Sequence, residues 1–163
     1  MARVMALSGG AASRGLSSHA TASHAASTLP VHPALATPRT HASRLQEDAE
    51  RFFLSREVPG EPNSCSHIQR VAPVGSAGHA LYALRPITGQ RHQLRLHMLA
   101  MGAPILGDTF YPVVLHGPHS EADDLARPLQ LLARELAFDD PLTGARRVFR
   151  SQRQLVGAVG AWP

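Results

Sequence analysis

Residues 86–108 read PITGQRHQLRLHMLAMGAPILGD. The spacing of apolar residues in this stretch predicts a helix from about Gln90 to Met101. Thr88 can cap its start, because a threonine hydroxyl accepts hydrogen bonds from the free N–H groups of a first helical turn. Gly102 stands where a left-handed residue commonly ends a helix, and Pro104 follows it. The stretch therefore predicts one helix with a defined start and end.

The predicted helix has two apolar faces. At about 100° per residue, Leu94, Met98 and Met101 share one of them. Leu96 and Leu99 lie on another, so the helix is apolar nearly all round. A helix of this kind is expected to be buried.

Two arginines interrupt this apolar surface. Arg91 and Arg95 stand four residues apart, a spacing at which like charges repel by ~0.2–0.5 kcal/mol on an exposed helix. Both lie near the helix N-terminus, whose partial positive charge disfavours cations. Because an unpaired buried charge is very costly, we expect this pair to face a cleft or a carboxylate.

The flanking sequence predicts strands. Residues 66–74 and 79–86 read as two strands around the turn 75–78, a hairpin-like pair. Residues 132–138 alternate in polarity, Pro141 and Gly144 supply a turn, and Val148 and Phe149 follow, which predicts a second hairpin. Several strands and one central helix indicate an α+β fold.

Composition narrows the class of protein. A chain of 163 residues with 44% hydrophobic and 17% charged residues fits one ordinary domain. It has no apolar run long enough to span a membrane, and its single cysteine, Cys65, excludes a disulfide framework or a thiolate-rich metal cluster. The formal charge is +4 and all 16 basic residues are arginine, which suits a polyanion such as RNA. Codon bias in a GC-rich genome explains the same composition equally well.

Residues 1–43 differ from the remainder, since they are rich in Ser, Ala, Thr, His and Pro and contain no Asp or Glu. This composition predicts disorder. A plain disordered tail, or non-native sequence from a misplaced start or a shifted reading frame, ranks above a transit peptide because no amphipathic face is present. We therefore predict a domain over 44–155 and a frayed tail over 156–163.

Several kinds of site are disfavoured. His92 and His97 are five residues apart, about 140° around a helix, and cannot share a metal as an i, i+4 pair does. His116 and His119 read as solvated loop residues, so we expect no metal site. The chain has no nucleophile elbow, Walker loop or dinucleotide fingerprint. Asp108 reads as a turn residue.

Residues 88–95, TGQRHQLR, combine a tight turn, free helix N–H groups, two guanidiniums, an imidazole and an amide. Together these groups predict an anion-binding surface for a phosphate or a carboxylate, with RNA as one candidate ligand.

The same residues closely resemble the RluA-type pseudouridine synthases. The signature of that family is Pro-x-Thr-Gly, then Arg/Lys-x-His-Gln-Ile/Leu-Arg-x-His, then Gly-x-Pro-Ile-x-Gly/Asn-Asp-x-x-Tyr. The chain departs from it once, with Gln90 directly after Thr-Gly and the basic residue one position later, at Arg91.

The resemblance extends from about Ser43 to Leu155. SRLQEDAERFFLSREVPGEPNS (43–64) is similar to the segment before the signature in bacterial members. RPLQLLARELAFDDPLTGARRVFRS (127–151) is similar to the C-terminal strand pair of the family. The implied fold is α+β, with a mixed, largely antiparallel sheet of the pseudouridine synthase type, here incomplete at its N-terminal side.

The resemblance implies isomerisation of uridine to pseudouridine in ribosomal or transfer RNA, without a cofactor or a metal. We expect a cytoplasmic monomer with no membrane segment. Arg95 matches the arginine that pairs with the catalytic aspartate of the family. The residues implied to line the RNA or the target base are Thr88, Gly89, Arg91, His92, Gln93 and His97.

The Arg-Leu-Asp-x-x-Thr-Ser-Gly motif that carries the catalytic aspartate of the family is absent from this chain. The first aspartate is Asp48, in a segment that aligns elsewhere, and Tyr82 and Tyr111 are the only tyrosines. We therefore predict the C-terminal part of a pseudouridine synthase without its catalytic aspartate, with unpaired sheet edges. The alternatives are a frame-shifted fragment or a non-catalytic RNA-binding remnant that contacts phosphates through Arg91, Arg95, Arg146, Arg147 and Arg150.

Overall fold

A computed structural model of the chain describes residues 2–9, 35, 37–74, 78–114 and 126–156. These residues form one seven-stranded sheet with strand order β3-β2-β4-β5-β1-β6-β7, together with one helix. The elements are β1 Ala2–Gly9, β2 Arg39–Glu47, β3 Ser55–Val58, β4 Ser64–Val74, β5 His79–Pro86, α1 Gln93–Ala100, β6 Leu131–Asp139 and β7 Arg146–Arg150. No helix in this part of the chain is long and apolar enough to cross a membrane.

Both predicted hairpins are present, as β4–β5 and β6–β7. Gly144 has φ 68°, which a turn glycine adopts without the steric cost that a Cβ would bring. Most of the first hairpin's turn, 75–77, lies outside the described residues. The predicted α+β, largely antiparallel fold is confirmed. All pairings between the described strands are antiparallel, so the parallel component implied by a mixed sheet is not seen among them.

The N-terminal residues differ from the predicted disorder. Strand β1 lies between β5 and β6, with Val4 opposite Leu84. Residues 39–43, within the same low-complexity segment, begin β2. Tertiary contacts account for the order of β1, because Val4 and Ala6 pack in one core cluster and Met5 packs in another. Composition alone does not reveal such contacts. Residues 10–34 and the tail 157–163 lie outside the described residues, and the domain boundaries stay predictions.

Helix α1 begins later than predicted. Its N-cap is His92, at φ 55°, and no side chain caps it. Thr88 does not cap because its hydroxyl accepts the Cys65 N–H and donates to Gln93 Oε1. The end is as predicted, since Gly102 has φ 73° and the Ala103 N–H bonds the Met98 carbonyl at 2.9 Å.

The two apolar faces of α1 contact two core clusters, as the helical spacing predicts. Met98 is fully buried against the β1–β5 part of the sheet, and Leu94 and Met101 pack beside it. Leu96 packs on the other side with residues that include Tyr111, and Leu99 lies next to them. The helix is thereby fixed over the sheet, with its N-terminus beside the loop that follows Gly107.

Candidate functional site

Arg95 has a carboxylate partner within the fold. Its Nε donates to Asp108 Oδ2 at 2.9 Å and its Nη2 donates to Oδ1 at 2.5 Å, a bidentate pair. The two side chains are 13% and 2% exposed. Asp108 Oδ1 also accepts the backbone N–H groups of Phe110 and Tyr111, at 2.9 and 3.0 Å. Asp108 is thus a turn residue, as expected, and also the anion of Arg95.

The Arg95 guanidinium also lies against aromatic rings. Its Cζ is 4.6 Å from the centroid of the Phe110 ring and 5.2 Å from that of Tyr111. The bonds to Asp108 use Nε and Nη2, so Nη1 makes no hydrogen bond among the described residues. The chain therefore holds Arg95 rigidly while leaving donors for a second acceptor.

Arg91 has different partners. Its Nη1 donates to the Phe52 carbonyl at 2.8 Å and to Glu47 Oε1 at 3.3 Å, on the exposed surface. The two arginines therefore do not share one anion. Arg91 precedes α1, so the pair does not have the helical spacing from which repulsion was expected, and each arginine meets its own carboxylate.

His92 lies between the arginines and the aromatic residues. Its Nδ1 is 2.9 Å from the Tyr111 hydroxyl, and its ring centroid is 5.7 Å from those of Phe110 and Tyr111. Burial lowers the pKa of His92, and the positive charges of Arg95 and Arg91 lower it further. The imidazole is therefore neutral at neutral pH.

Thr88 and Gln93 support the turn before the helix. Gln93 is 4% exposed, and its Nε2 donates to the Cys65 carbonyl and to Ser66 Oγ, each at 2.9 Å. Its Oε1 accepts the Thr88 hydroxyl and the Gln90 N–H. With its amide fully engaged inside the protein, Gln93 positions neighbouring residues and has no group left for RNA. Gly89 is exposed, and a Cβ there would meet no atom within 4 Å.

His97 is a core residue. It is completely buried, with Nε2 2.9 Å from Ser64 Oγ and Nδ1 3.0 Å from Ser66 Oγ. Burial, reinforced by the nearby His41, lowers the pKa of His97 to about 4. It cannot touch a bound RNA, in contrast to the placement that the resemblance implies.

His97 also belongs to a group that could hold a metal. Ligand atoms of His41, Glu57 and His97 lie within 4.8 Å of one another. The Ser64 hydroxyl donates to the Ser43 carbonyl at 2.6 Å, and the Ser43 hydroxyl donates to Glu57 at 2.8 Å. His97 Nε2 then carries the proton of its bond to Ser64, and a metal could bind this nitrogen only by displacing that proton. The absence of a metal site stays a prediction.

Two clefts flank the segment that contains Asp108. One, of about 540 Å³, is lined by residues that include Asp108, Thr109, Arg127 and Gln130. The other, also about 540 Å³, lies on the side of Phe110 and Tyr111 and reaches Asp48 and Arg51. Asp108, Phe110 and Tyr111 belong to the site without having been predicted as site residues, although the Gly-Asp-x-x-Tyr part of the signature contains two of them.

Several proteins of similar sequence are named RNA pseudouridine synthases. A dual-specificity RNA pseudouridine synthase RluA of Yersinia pestis is 46% identical over 77 residues, covering 47% of this chain and 34% of that protein. The proteins of the same name in Pasteurella multocida and Escherichia coli K12 are 55% identical over 60 residues and 44% over 72, covering 25% and 30% of those proteins. Over part of its length the chain is therefore similar to RluA pseudouridine synthases, of which the matches cover a quarter to a third. No protein-family model matches it.

Solved structures show the same fold. Human RNA Pseudouridylate Synthase Domain Containing 1 aligns with a TM-score of 0.58 and 17% identity, over 92% of this chain and 54% of that chain. Human RNA Pseudouridylate Synthase Domain Containing 4 aligns with a TM-score of 0.54 and 18% identity, over 93% and 57%. At these identities the likeness concerns the fold alone. Sequence matches to the RluA relatives span a quarter to a third of their length.

Proposed function

We propose that the chain contributes the Arg95 side of an RNA pseudouridine synthase site, which isomerises uridine to pseudouridine. In this reaction the target base leaves its stack, its C–N glycosidic bond breaks, the ring turns and a C–C bond forms. The observation that supports the proposal is how the guanidinium of Arg95 is held. Asp108 and Phe110 hold it in place, and the N–H groups of Nη1 remain available for a second carboxylate.

Asp108 is not itself the proposed catalytic carboxylate. Its side chain is 2% exposed and accepts four hydrogen bonds, two from Arg95 and two from backbone N–H groups. A carboxylate engaged in this way is a weak nucleophile. We propose that Asp108 positions Arg95 and that Arg95 in turn orients the aspartate of the family motif, which this chain lacks.

The remaining site residues take two roles in this proposal. Arg91 and His92 lie at the surface beside Arg95 and contact RNA, with Gly89 in the adjacent exposed turn. Thr88, Gln93 and His97 position the turn and the helix from within. We further propose a cytoplasmic monomer that acts on ribosomal or transfer RNA without a metal or a cofactor.

The decisive experiment combines an RNA-binding titration with tritium release from RNA that carries 5-tritiated uridine. We expect the purified chain to bind RNA with an affinity that falls as salt rises, and to release no tritium above background. Release above background would contradict the proposed lack of a catalytic aspartate. Failure to bind any RNA at low salt would overturn the function itself.

The hairpin β6–β7 is not favoured as a separate phosphate-binding patch. Arg146, Arg147 and Arg150 each already form an ion pair, with Asp139, Asp140 and Glu135 respectively. The local charge that would attract a polyanion is therefore largely neutralised. A remnant that binds RNA through these arginines is the weaker candidate.

A further inference from the structure

The hydroxyl of Tyr111 determines which nitrogen of His92 carries a proton. This hydroxyl donates to the Ser55 carbonyl and accepts the Ser55 N–H, each at 2.9 Å. A phenol has one proton, and that proton is already committed to the Ser55 carbonyl. The 2.9 Å contact with His92 Nδ1 must therefore be an Nδ1–H that donates to the Tyr111 oxygen.

A neutral imidazole protonated at Nδ1 has an unprotonated Nε2. This nitrogen has no hydrogen-bond partner among the described residues, and the His92 ring is partly exposed. The ring is also held in place, because His92 is the left-handed N-cap of α1 and its ring lies against Phe110 and Tyr111. Nε2 is thus a fixed acceptor with a free lone pair.

The Nε2 acceptor of His92 lies beside two side chains that can only donate hydrogen bonds. Arg91 and Arg95 can only donate hydrogen bonds, and they suit phosphate and carboxylate oxygens. Guanidiniums by themselves cannot recognise a donor on a ligand. His92 Nε2 supplies the missing complement beside the two guanidiniums.

We propose that His92 Nε2 accepts a hydrogen bond from an N–H or O–H donor of a uridine nucleotide in bound RNA. The inference rests on the proposed function, which makes RNA the ligand. Two groups of a uridine nucleotide have this chemistry, the N3–H of the base and the 2′-hydroxyl of the ribose. Accepting from N3–H would distinguish uracil from cytosine, whose N3 is an acceptor.

The test measures the affinity of the purified chain for oligouridine, oligo-N3-methyluridine and oligo-2′-deoxyuridine at one low salt concentration. Losing one hydrogen bond to a neutral acceptor is expected to weaken binding roughly 3- to 10-fold for the analogue that lacks the donor. The matched variant is His92→Asn, because asparagine tolerates the left-handed backbone and its amide N–H can replace Nδ1–H. It has no acceptor at the Nε2 position, so it should bind all three oligonucleotides within about 2-fold of one another.

Equal binding of the three oligonucleotides by the unmodified chain would overturn the role of His92 while leaving RNA binding intact. The same discrimination in His92→Asn would also overturn it. Absence of any binding to oligouridine would overturn the proposed function together with this inference. Nitrogen-15 spectra of the free protein test the tautomer independently of RNA, and a His92 proton on Nε2 would refute the proposal even if the variant failed to fold.

Discussion

The guanidinium of Arg95 meets Asp108 through two hydrogen bonds and lies against the ring of Phe110. Lysine would keep the charge but lose the planar fork that makes both contacts. We expect Arg95→Lys to lower the free energy of unfolding by about 1–3 kcal/mol, measured by urea denaturation. The matched control is Arg146→Lys, in an ion pair whose side chains are 54% and 69% exposed, with an expected change within about 0.5 kcal/mol. Equal effects of the two substitutions would contradict the structural role of the buried pair.

His97 makes stability depend on pH. Its pKa is lowered from 6.5 to about 4 in the folded protein, chiefly by burial. Between these values the unfolded chain binds the proton and the folded chain does not, so protonation favours unfolding. Its contribution is therefore complete above pH 6.5 and is lost as the pH falls toward 4, by about 3 kcal/mol at most.

The measurement is the free energy of unfolding across that pH range, for the unmodified chain and for His97→Gln. Glutamine does not titrate, so the difference between the two curves isolates the histidine whatever the absolute stability of the variant. We expect the variant to lose less stability on acidification. Parallel curves would show that His97 does not titrate differently in the folded and unfolded states.

Among the elements, strand β1 was the least expected, because the composition of residues 1–43 predicts disorder. It lies inside the sheet, so its N–H groups pair on both sides, and Ala6 is completely buried. We expect slow hydrogen exchange at residues 4–6. We also expect Ala6→Asp to abolish cooperative unfolding, because it buries an unpaired charge.

The control for β1 is Ala133→Asp on the neighbouring strand β6, where the alanine is exposed. It should retain a cooperative thermal transition followed by circular dichroism. Fast exchange at residues 4–6, or cooperative unfolding of the Ala6→Asp protein, would indicate that these residues are disordered, as their composition predicts. Strands β5 and β6 would then lack the strand that pairs with both of them.

At the scale of the whole molecule, the sheet formed by the described residues ends in open edges at β3 and β7, as predicted. Every residue of β7 is exposed, and Phe149 is stacked on Phe138 at 6.0 Å between ring centroids. Phe149 is 58% exposed, and an exposed apolar edge strand favours pairing with another chain. We expect Phe149→Lys to lower self-association, measured as the monomer fraction by size-exclusion chromatography at increasing concentration.

Leu142→Lys provides the comparison for the edge strand. Leu142 is 94% exposed and apolar, but it lies in the turn outside β7, so its replacement should leave the monomer fraction unchanged. If both variants raise the monomer fraction equally, overall charge and not the edge strand controls association. If neither variant changes the monomer fraction, the open edge is not a site of self-association.

The sequence by itself determined the elements that depend on neighbours along the chain. These are the helix with its two apolar faces and glycine end, both hairpins, and the need of Arg91 and Arg95 for negative partners. Periodicity and turn chemistry act over a few residues, so they can be read directly from the order of side chains. The resemblance to the RluA signature added a predicted family and function.

Only the tertiary structure decided which groups meet. Arg95 bonds to Asp108, thirteen residues later in the sequence, and His92 bonds to Tyr111, nineteen residues later. Tyr111 in turn bonds to Ser55, fifty-six residues earlier. Such pairings depend on how strands and helix pack, as does the central position of β1. Local pattern carries no information about them, because hydrogen bonds and ion pairs form wherever the completed fold brings their atoms together.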